Sequence, residues 1–308
     1  MKTKYLLLCA IAALALPGCK RNFKVQTDFT YNDKSVQIKD TLPTVRDETA
    51  HVVFLYGQSN ADGVSYVEYL KTTDNAKFQE YAAGYENVYI NYFNDGGNTS
   101  SGFAFQKATL GCGCANFTFG PEMGIAEKMA AAYPDENTFI VKWTWGGTAL
   151  HNQWLDGNRN RGDLYNPAMD FSLKCLNYLG RIGYALSIEG ICWMQGESDA
   201  FHADWSQYYN DTFAYVSYLR HDLQSVSESI KFIDAGINEE IGVWALPEPV
   251  NYAKKEFAAL SDLNIYIDTN ALGLTTKNEP ADNPDRAHYD SLSMVQLGQA
   301  FGDALVGE

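Results

Sequence analysis

Positive charge is scarce in this sequence. Against 38 acidic residues stand 23 lysines and arginines, a formal charge of −15. A surface of that sign repels phosphate backbones and anionic lipid, which argues against nucleic acid as a partner and favours a neutral substrate or one held by a local pocket. Histidine is scarcer still, five in 308 residues. No Cys/His cluster has zinc-like spacing, Cys112-Gly113-Cys114 included, so no metal site is expected. After the N-terminus no segment has the length and apolarity of a membrane span. Beyond residue 50 there is no internal repeat, low-complexity tract or Pro/Gly/Ser-rich linker, which leaves one domain as the economical reading.

The N-terminus sets the compartment. Met1-Lys2-Thr3-Lys4 is basic, Tyr5 to Leu16 is an apolar run too short to span as a mature helix, and Leu16-Pro17-Gly18-Cys19 follows. This resembles a bacterial lipoprotein signal, with 1–18 removed and Cys19 lipidated, although Pro17 stands where a small residue is commoner. The alternative is an ordinary secretory peptide cut elsewhere; either implies export. The expected location is the bacterial cell envelope, lipid-anchored, on its periplasmic or outer-membrane face. Loss of Lys2 and Lys4 with no acid takes the charge from −15 to −17. Residues 19–48 read as a tether, or as a small hairpin in which Phe23, Val25, Thr27, Phe29 and Tyr31 alternate and Asn32-Asp33 turns the chain into Ser35-Val36-Gln37-Ile38. In an oxidising compartment Cys112, Cys114, Cys175 and Cys192 have the number for two disulfides, with three possible pairings.

One stretch organises the rest. His51-Val52-Val53-Phe54-Leu55-Tyr56 is rich in β-branched and aromatic side chains and reads as a buried strand. It runs into Gly57-Gln58-Ser59-Asn60, delivering a hydroxyl to a sheet edge. Ligands bind at the carboxyl ends of strands in open parallel sheets, which makes Ser59 a candidate nucleophile. The competing reading is that Ser59 only caps the helix that follows.

Strand and helix signals alternate from there to the C-terminus. Strands are predicted over 87–92, 138–143, 188–194, 230–234 and 264–268, and helices from Pro121 and over about 167–182, 204–225, 250–260 and 291–305. That alternation specifies an α/β fold, because right-handed crossovers place helices on both faces of a parallel sheet. Residues 49–308 read as one such domain.

Motifs rich in polar residues or glycine end three of the strands: Ser59, then Trp145-Gly146-Gly147-Thr148, then Gln195-Gly196-Glu197-Ser198-Asp199. Asp285-x-x-His288 precedes the last helix. Acyl transfer needs a nucleophile, a base, a carboxylate to orient that base, and donors for an oxyanion, and these residue types supply them. A spacing of three on a turn before a helix lets Asp285 reach the ring of His288, fixing its tautomer and stabilising the imidazolium. Alone, such a pair reads more readily as a helix cap beside a solvated histidine.

Together, Gly57-Gln58-Ser59-Asn60, Phe119-Gly120-Pro121-Glu122-Met123-Gly124, Gly146-Gly147-Thr148, Trp193-Met194-Gln195-Gly196-Glu197-Ser198-Asp199-Ala200 and Asp285-x-x-His288-Tyr289 resemble the signature blocks of the SGNH (GDSL-like) hydrolase superfamily. Within it they are similar to carbohydrate esterases of the sialate O-acetylesterase and family 6 acetylxylan esterase type. The blocks run in order across residues 50–305. The resemblance implies a three-layer α/β/α sandwich, flavodoxin-like, with a central parallel sheet of about five strands. It also implies removal of O-acetyl groups from glycans without a metal or organic cofactor. Residue by residue it implies Ser59 as nucleophile, His288 as general base and then acid, and Asp285 as orienting carboxylate. The implied oxyanion donors are the backbone N–H groups of Ser59 and of Gly146 or Gly147. The chain departs from the wider superfamily, which carries an Asn in a Gly-x-Asn-Asp block where Gly196-Glu197-Ser198-Asp199 stands here. The side-chain amide of Gln195 is inferred as the replacement donor.

Gln58 and Asn60 flank the nucleophile as supporting residues. Glu197 and Asp199 suit glycosidase chemistry only if they flank a glycosidic bond; two residues apart on one turn, they are read as supports for loop amides. Trp145, His151 and Trp154 are expected to contact substrate, because flat rings beside a cleft stack on sugar faces. His151 ranks below His288 as a base because no carboxylate neighbours it at suitable spacing. Trp143 and Trp193 are expected in the core, and His51, His202 and His221 are read as structural or solvated. Two rivals stand beside the esterase: a glycan-binding protein that keeps the fold without turnover, and an esterase or lipase for other acyl esters, for which no apolar lid is evident.

Overall fold

The computed structural model describes residues 36–240 and 243–307. The signal segment over 1–18, Cys19 and the alternating stretch up to Ser35 therefore lie outside the described residues. Residues 36–47 form no strand. They are bonded along the domain instead: the N–H of Lys39 donates to Phe103 O, those of Thr41 and Leu42 to the Tyr178 hydroxyl, and those of Val45 and Asp47 to the carbonyls of Ile182 and Gly183. From residue 36 on, the expected tether is a strap on the domain.

The parallel core of the sheet consists of β1 (Glu48–Gly57), β2 (Val88–Asn94), β3 (Asn137–Thr144), β4 (Tyr184–Met194), β5 (Phe232–Ala235) and β6 (Asn264–Ile267). Their order is β6-β5-β4-β1-β3-β2, with every neighbour pair parallel. Thr99–Ser100 and Gln106–Lys107 pair antiparallel with β2, making an eight-stranded sheet. The sheet exceeds the expected five or so strands partly because two-residue edge strands carry no periodicity to read.

The chain moves outward from β1 to β2, returns to β3, then crosses to the other side for β4, β5 and β6. Strand order therefore reverses at β1, the point where ligands bind in such sheets. The register is level there: Gly57 lies opposite Thr144 of β3 and Met194 of β4, and Thr144 lies opposite Asn94 of β2.

The helices are α1 (Ser59–Asp62), α2 (Val67–Thr73), α3 (Asn75–Ala83), α4 (Glu122–Ala132), α5 (Tyr165–Arg181), α6 (Glu197–Phe201), α7 (Tyr208–Leu223), α8 (Pro247–Ala258) and α9 (Ser291–Val306). Neighbouring residues of a strand point to opposite faces, and β3 shows what each face holds. Trp143 points to the layer of α5, α7 and α8, where the Tyr56 hydroxyl meets Ser172, Trp193 packs on Tyr215 and Phe232 on Phe257. Lys142 points to the layer of α4 and α9, reaching Glu122 at 2.9 Å. There α4 and α9 touch through backbone, since a Cβ on Gly124 would lie 2.5 Å from Gly298 C. The result is the expected three-layer α/β/α sandwich. Helices α2 and α3 left no clear sequence signal because each buries a single side chain, Leu70 and Tyr81.

The expectation of disulfides is corrected: Cys112, Cys114, Cys175 and Cys192 are all buried free thiols. Cys192 precedes Trp193 on β4 and so points away from the face on which Cys175 of α5 lies beside Asn91, leaving the sheet between them. Burial pushes the thiols of Cys112, Cys175 and Cys192 up, Cys112 to about 12, so they behave as small apolar groups.

Candidate active site

The site begins with the turn out of β1. Gly57 has φ of 143°, and a Cβ there would stand 2.0 Å from Met194 O, so only glycine fits against β4. The N–H of Gln58 donates to Met194 O (3.0 Å), and Gly57 O accepts from Trp145 N–H (3.0 Å). The turn is thus stitched to both neighbouring strands. Ser59 opens α1 and is 8% exposed.

The Asp285–His288 contact is made: His288 Nδ1 lies 2.6 Å from Asp285 Oδ2. Asp285 Oδ1 also accepts the N–H groups of Ala287 and His288, both at 2.9 Å. Arg286 has φ of 63°, a left-handed conformation that wraps the loop around this carboxylate. Burial pushes the Asp285 carboxyl up, but the charge and hydrogen bond of His288 together with the two N–H groups outweigh it and hold it below the usual range. With Nδ1 held, Nε2 is the nitrogen left for chemistry.

Asn60 ties this loop to the turn that carries Ser59. Its Oδ1 accepts the N–H of Tyr289 (3.1 Å) and its Nδ2 donates to Ala287 O (3.2 Å), so one side chain grips the residues on either side of His288. Nδ2 also donates to Glu197 Oε1 (2.7 Å). Because Asn60 follows Ser59 directly, the grip brings the histidine loop to the serine. Ser65 adds a second fastening, its hydroxyl donating to Tyr289 O (2.7 Å).

The donor loops correct two expectations. The N–H of Gly146 donates to Asp95 Oδ1 (2.6 Å), which occupies it; the N–H of Gly147, at φ of 71°, has no acceptor among the described residues. Gln195 is fully buried, and its Nε2 is shared among Gln58 Oε1 (3.1 Å), Thr148 O (2.9 Å) and Asp199 Oδ2 (2.6 Å). Its amide hydrogens are committed inside the protein, so Gln195 is a strut and not an open donor.

Glu197 and Asp199 support loops, as their spacing predicts. Asp199 accepts the N–H groups of Leu150 (2.9 Å) and His151 (3.2 Å). Burial pushes the Glu197 carboxyl up, offset in part by the Asn60 hydrogen bond, and its Oε2 has no partner among the described residues. Beneath this loop the buried Lys254 donates to Gln195 O (2.7 Å) and pairs with Asp234, whose carboxyl burial pushes up to about 6.

Of the rings expected at the substrate, Trp145 is half-buried, its ring over Gly96. Trp154 is instead fully buried, edge-on to Trp143, Trp193 and Tyr215, and its Nε1 donates to Thr148. It belongs to the core with Trp143 and Trp193. His151 is corrected in another sense, because it has a carboxylate neighbour. Its Nδ1 lies 2.8 Å from Asp211 Oδ2, sixty residues along the chain, and Arg159 Nε holds the other oxygen of Asp211 at 2.9 Å. Spacing along the sequence could not reveal that pair. Asp95 was missed too, although Asn94-Asp95-Gly96-Gly97 ends β2 with the same polar, glycine-rich signature that nominated the other strand ends.

Among the described residues no cluster of three His, Cys, Asp or Glu side chains is placed to hold a metal ion, and no helix is long and apolar enough to cross a membrane.

Residues 49–307 match the family described as carbohydrate esterase, sialic acid-specific acetylesterase. A search of curated proteins returned no match. Among solved structures, a protein from Arabidopsis thaliana is 21% identical with a TM-score of 0.62, over 84% of this chain and 98% of that one. NanS is 15% identical with a TM-score of 0.60, over 85% and 98%. A carbohydrate acetylesterase from Xanthomonas citri is 17% identical with a TM-score of 0.54, over 84% of this chain and 57% of that one. At these identities the structures establish the fold; the match over nearly the whole described domain establishes the family. The chain is a carboxylic ester hydrolase that belongs to the carbohydrate esterases of the sialic acid-specific acetylesterase family.

Proposed function

We propose that this enzyme removes O-acetyl groups from glycans by a serine mechanism. Ser59 Oγ attacks the acetyl carbonyl carbon while His288 Nε2 takes its proton, and the carbonyl electron pair moves onto the oxygen. The backbone N–H groups of Ser59 and Gly147 receive that oxyanion. On collapse the sugar oxygen leaves with the proton from His288, and Ser59 carries the acetyl group. Water, losing a proton to His288, then attacks the ester, and acetate departs as Ser59 recovers its hydrogen. Asp285 holds the ring and offsets the imidazolium charge throughout.

The observation that carries this reading is the grip of Asn60 on both flanks of a histidine whose Nδ1 is held by Asp285. Acetylated xylan and O-acetylated sialic acid are the two substrate classes in view, with the half-buried rings of Trp145 and His151 offered to the sugar. The N-terminal segment supports export and anchoring through a lipid on Cys19, which labelling with a radioactive fatty acid would test.

Release of acetate from an aryl acetate, acetylated xylan and O-acetyl sialic acid tests the activity directly. Ser59→Ala and His288→Ala are each expected to lower kcat by about 10⁴-fold or more. Undiminished turnover in either variant would sink the mechanism, and tight sugar binding without turnover in the wild type would favour a binding protein.

A further inference from the structure

The oxyanion hole of the proposed reaction lacks its expected side-chain donor, because Gln195 is committed elsewhere. We propose that the carboxamide of Gln58 is that donor. The inference deepens the serine-esterase reading and rests on it.

Three N–H groups converge on one atom of Gln58. Its Oε1 accepts from Gln195 Nε2 at 3.1 Å, from the backbone N–H of Gly196 at 3.4 Å and from that of Ser198 at 3.3 Å. A planar amide whose oxygen is held by three donors has one orientation left, and its NH2 group faces away from them. All three donors belong to the loop after β4, so the NH2 of Gln58 faces away from that loop.

That nitrogen donates to nothing among the described residues. It is also not one of the shielded interior atoms that lack a partner. Gln58 as a whole is only 2% exposed. A donor that is neither bonded nor sealed in, on a side chain otherwise enclosed, opens onto space at the surface of the site. Its neighbours by contrast are consumed: Gln195, Asn60 and Asp199 each bond two or more protein groups. An unused amide in such a network is the mark of a group reserved for a ligand.

The placement fits an oxyanion. Gln58 directly precedes Ser59, and its backbone is fixed to β4 through Met194 O. Gly147 follows β3, on the other side of β1. An acyl oxygen over the end of β1 would be approached by Ser59 N–H from below, by Gly147 N–H from the β3 side and by Gln58 Nε2 from the β4 side. The side chain transfers no proton; it donates a hydrogen bond to the oxygen on which the carbonyl electron pair settles.

Gln58→Glu separates this role from that of a clamp. The carboxylate keeps an oxygen for the three converging N–H groups but replaces the NH2 donor with a second acceptor. On an aryl acetate, kcat is expected to fall by about 10² to 10³-fold while KM changes little. Binding of an alkylboronic acid, which forms a tetrahedral adduct on Ser59 Oγ, should weaken with it, while the melting temperature stays near that of the wild type. Gln58→Met, similar in volume and without donors, is read in the same way should the charged variant fail to fold. Wild-type kcat and boronate affinity in a folded Gln58 variant would overturn the proposal, leaving Gln58 as a clamp. If Ser59→Ala is inactive while Gln58→Glu turns over normally, only this inference fails. If the wild type hydrolyses no acetyl ester, the underlying esterase reading fails.

Discussion

Strand β1 has a histidine–carboxylate assembly at each end, and the two ends use the imidazole differently. At the amino end, His51 has both ring nitrogens taken, Nδ1 by Glu189 at 2.8 Å and Nε2 by Glu136 at 2.6 Å, and its ring stacks on Tyr133 at 3.5 Å. At the carboxyl end, among the described residues, His288 has only Nδ1 taken, by Asp285, and its side chain is 24% exposed. An imidazole clamped at both nitrogens cannot pass on a proton without breaking an ion pair, so it braces the fold. One clamped at a single nitrogen keeps both a fixed orientation and a basic atom. His151, with Nδ1 on Asp211, follows the second pattern and marks the same edge of the sheet.

Removing one carboxylate from each end gives the sharpest separation. Asp285→Asn is expected to lower kcat by about 10⁴-fold, because the amide favours the wrong tautomer of His288. Its oxygen still accepts the N–H groups of Ala287 and His288, so the fold should hold. Glu189→Gln at the other end should leave kcat unchanged and lower thermal stability instead. Steady-state kinetics and thermal melts on the two variants check this, and equal kinetic losses would break the comparison.

A smaller kinetic effect tests how the carboxyl end is assembled. Asn60→Ala removes the grip on Ala287 and Tyr289 while leaving the Asp285–His288 pair intact. A base held slightly out of line typically costs about 10²-fold, so kcat should fall by that order with little change in KM. Ser65→Ala, which loosens only the Tyr289 carbonyl, should cost less. If Asn60→Ala changes KM and spares kcat, Asn60 serves the substrate and not the base.

The part of the molecule that reads from sequence is the part whose cause is local. Six strands and five of the helices announce themselves through apolar runs and periodicity, and Asp285 lies three residues from His288. What sequence hides depends on which atoms meet across the sheet edge. Gln195 was nominated by its place at a strand end, but Thr148 and Asp199, arriving from elsewhere in the chain or the next turn, absorb its amide. Trp154 reads as a ring near a cleft until three other rings enclose it. Asp211 gives His151 a carboxylate only because α7 packs beside the segment over 150–154. The cysteines show the converse: an even count invites pairing, and the sheet keeps Cys175 and Cys192 apart.

The smallest expected effect concerns the amino end alone. Burial works to lower the His51 pKa, but hydrogen bonds and charge from Glu189 and Glu136 outweigh it and raise it above the ordinary value of 6.5. A histidine whose folded pKa is raised contributes stability in full below its unfolded pKa and loses it as pH rises through the folded value. Glu189 and Glu136 are held below their ordinary values, so their share is lost on the acid side, as pH falls through the carboxylate range. The brace is therefore strongest in mildly acidic solution. The melting temperature should decline as pH is raised from about 6 to about 8. His51→Gln keeps a hydrogen-bonding side chain without the charge and should flatten that decline while leaving kcat intact. A decline that persists in His51→Gln would move the titrating group elsewhere, and a loss of activity in that variant would mean that the two ends of β1 are coupled after all.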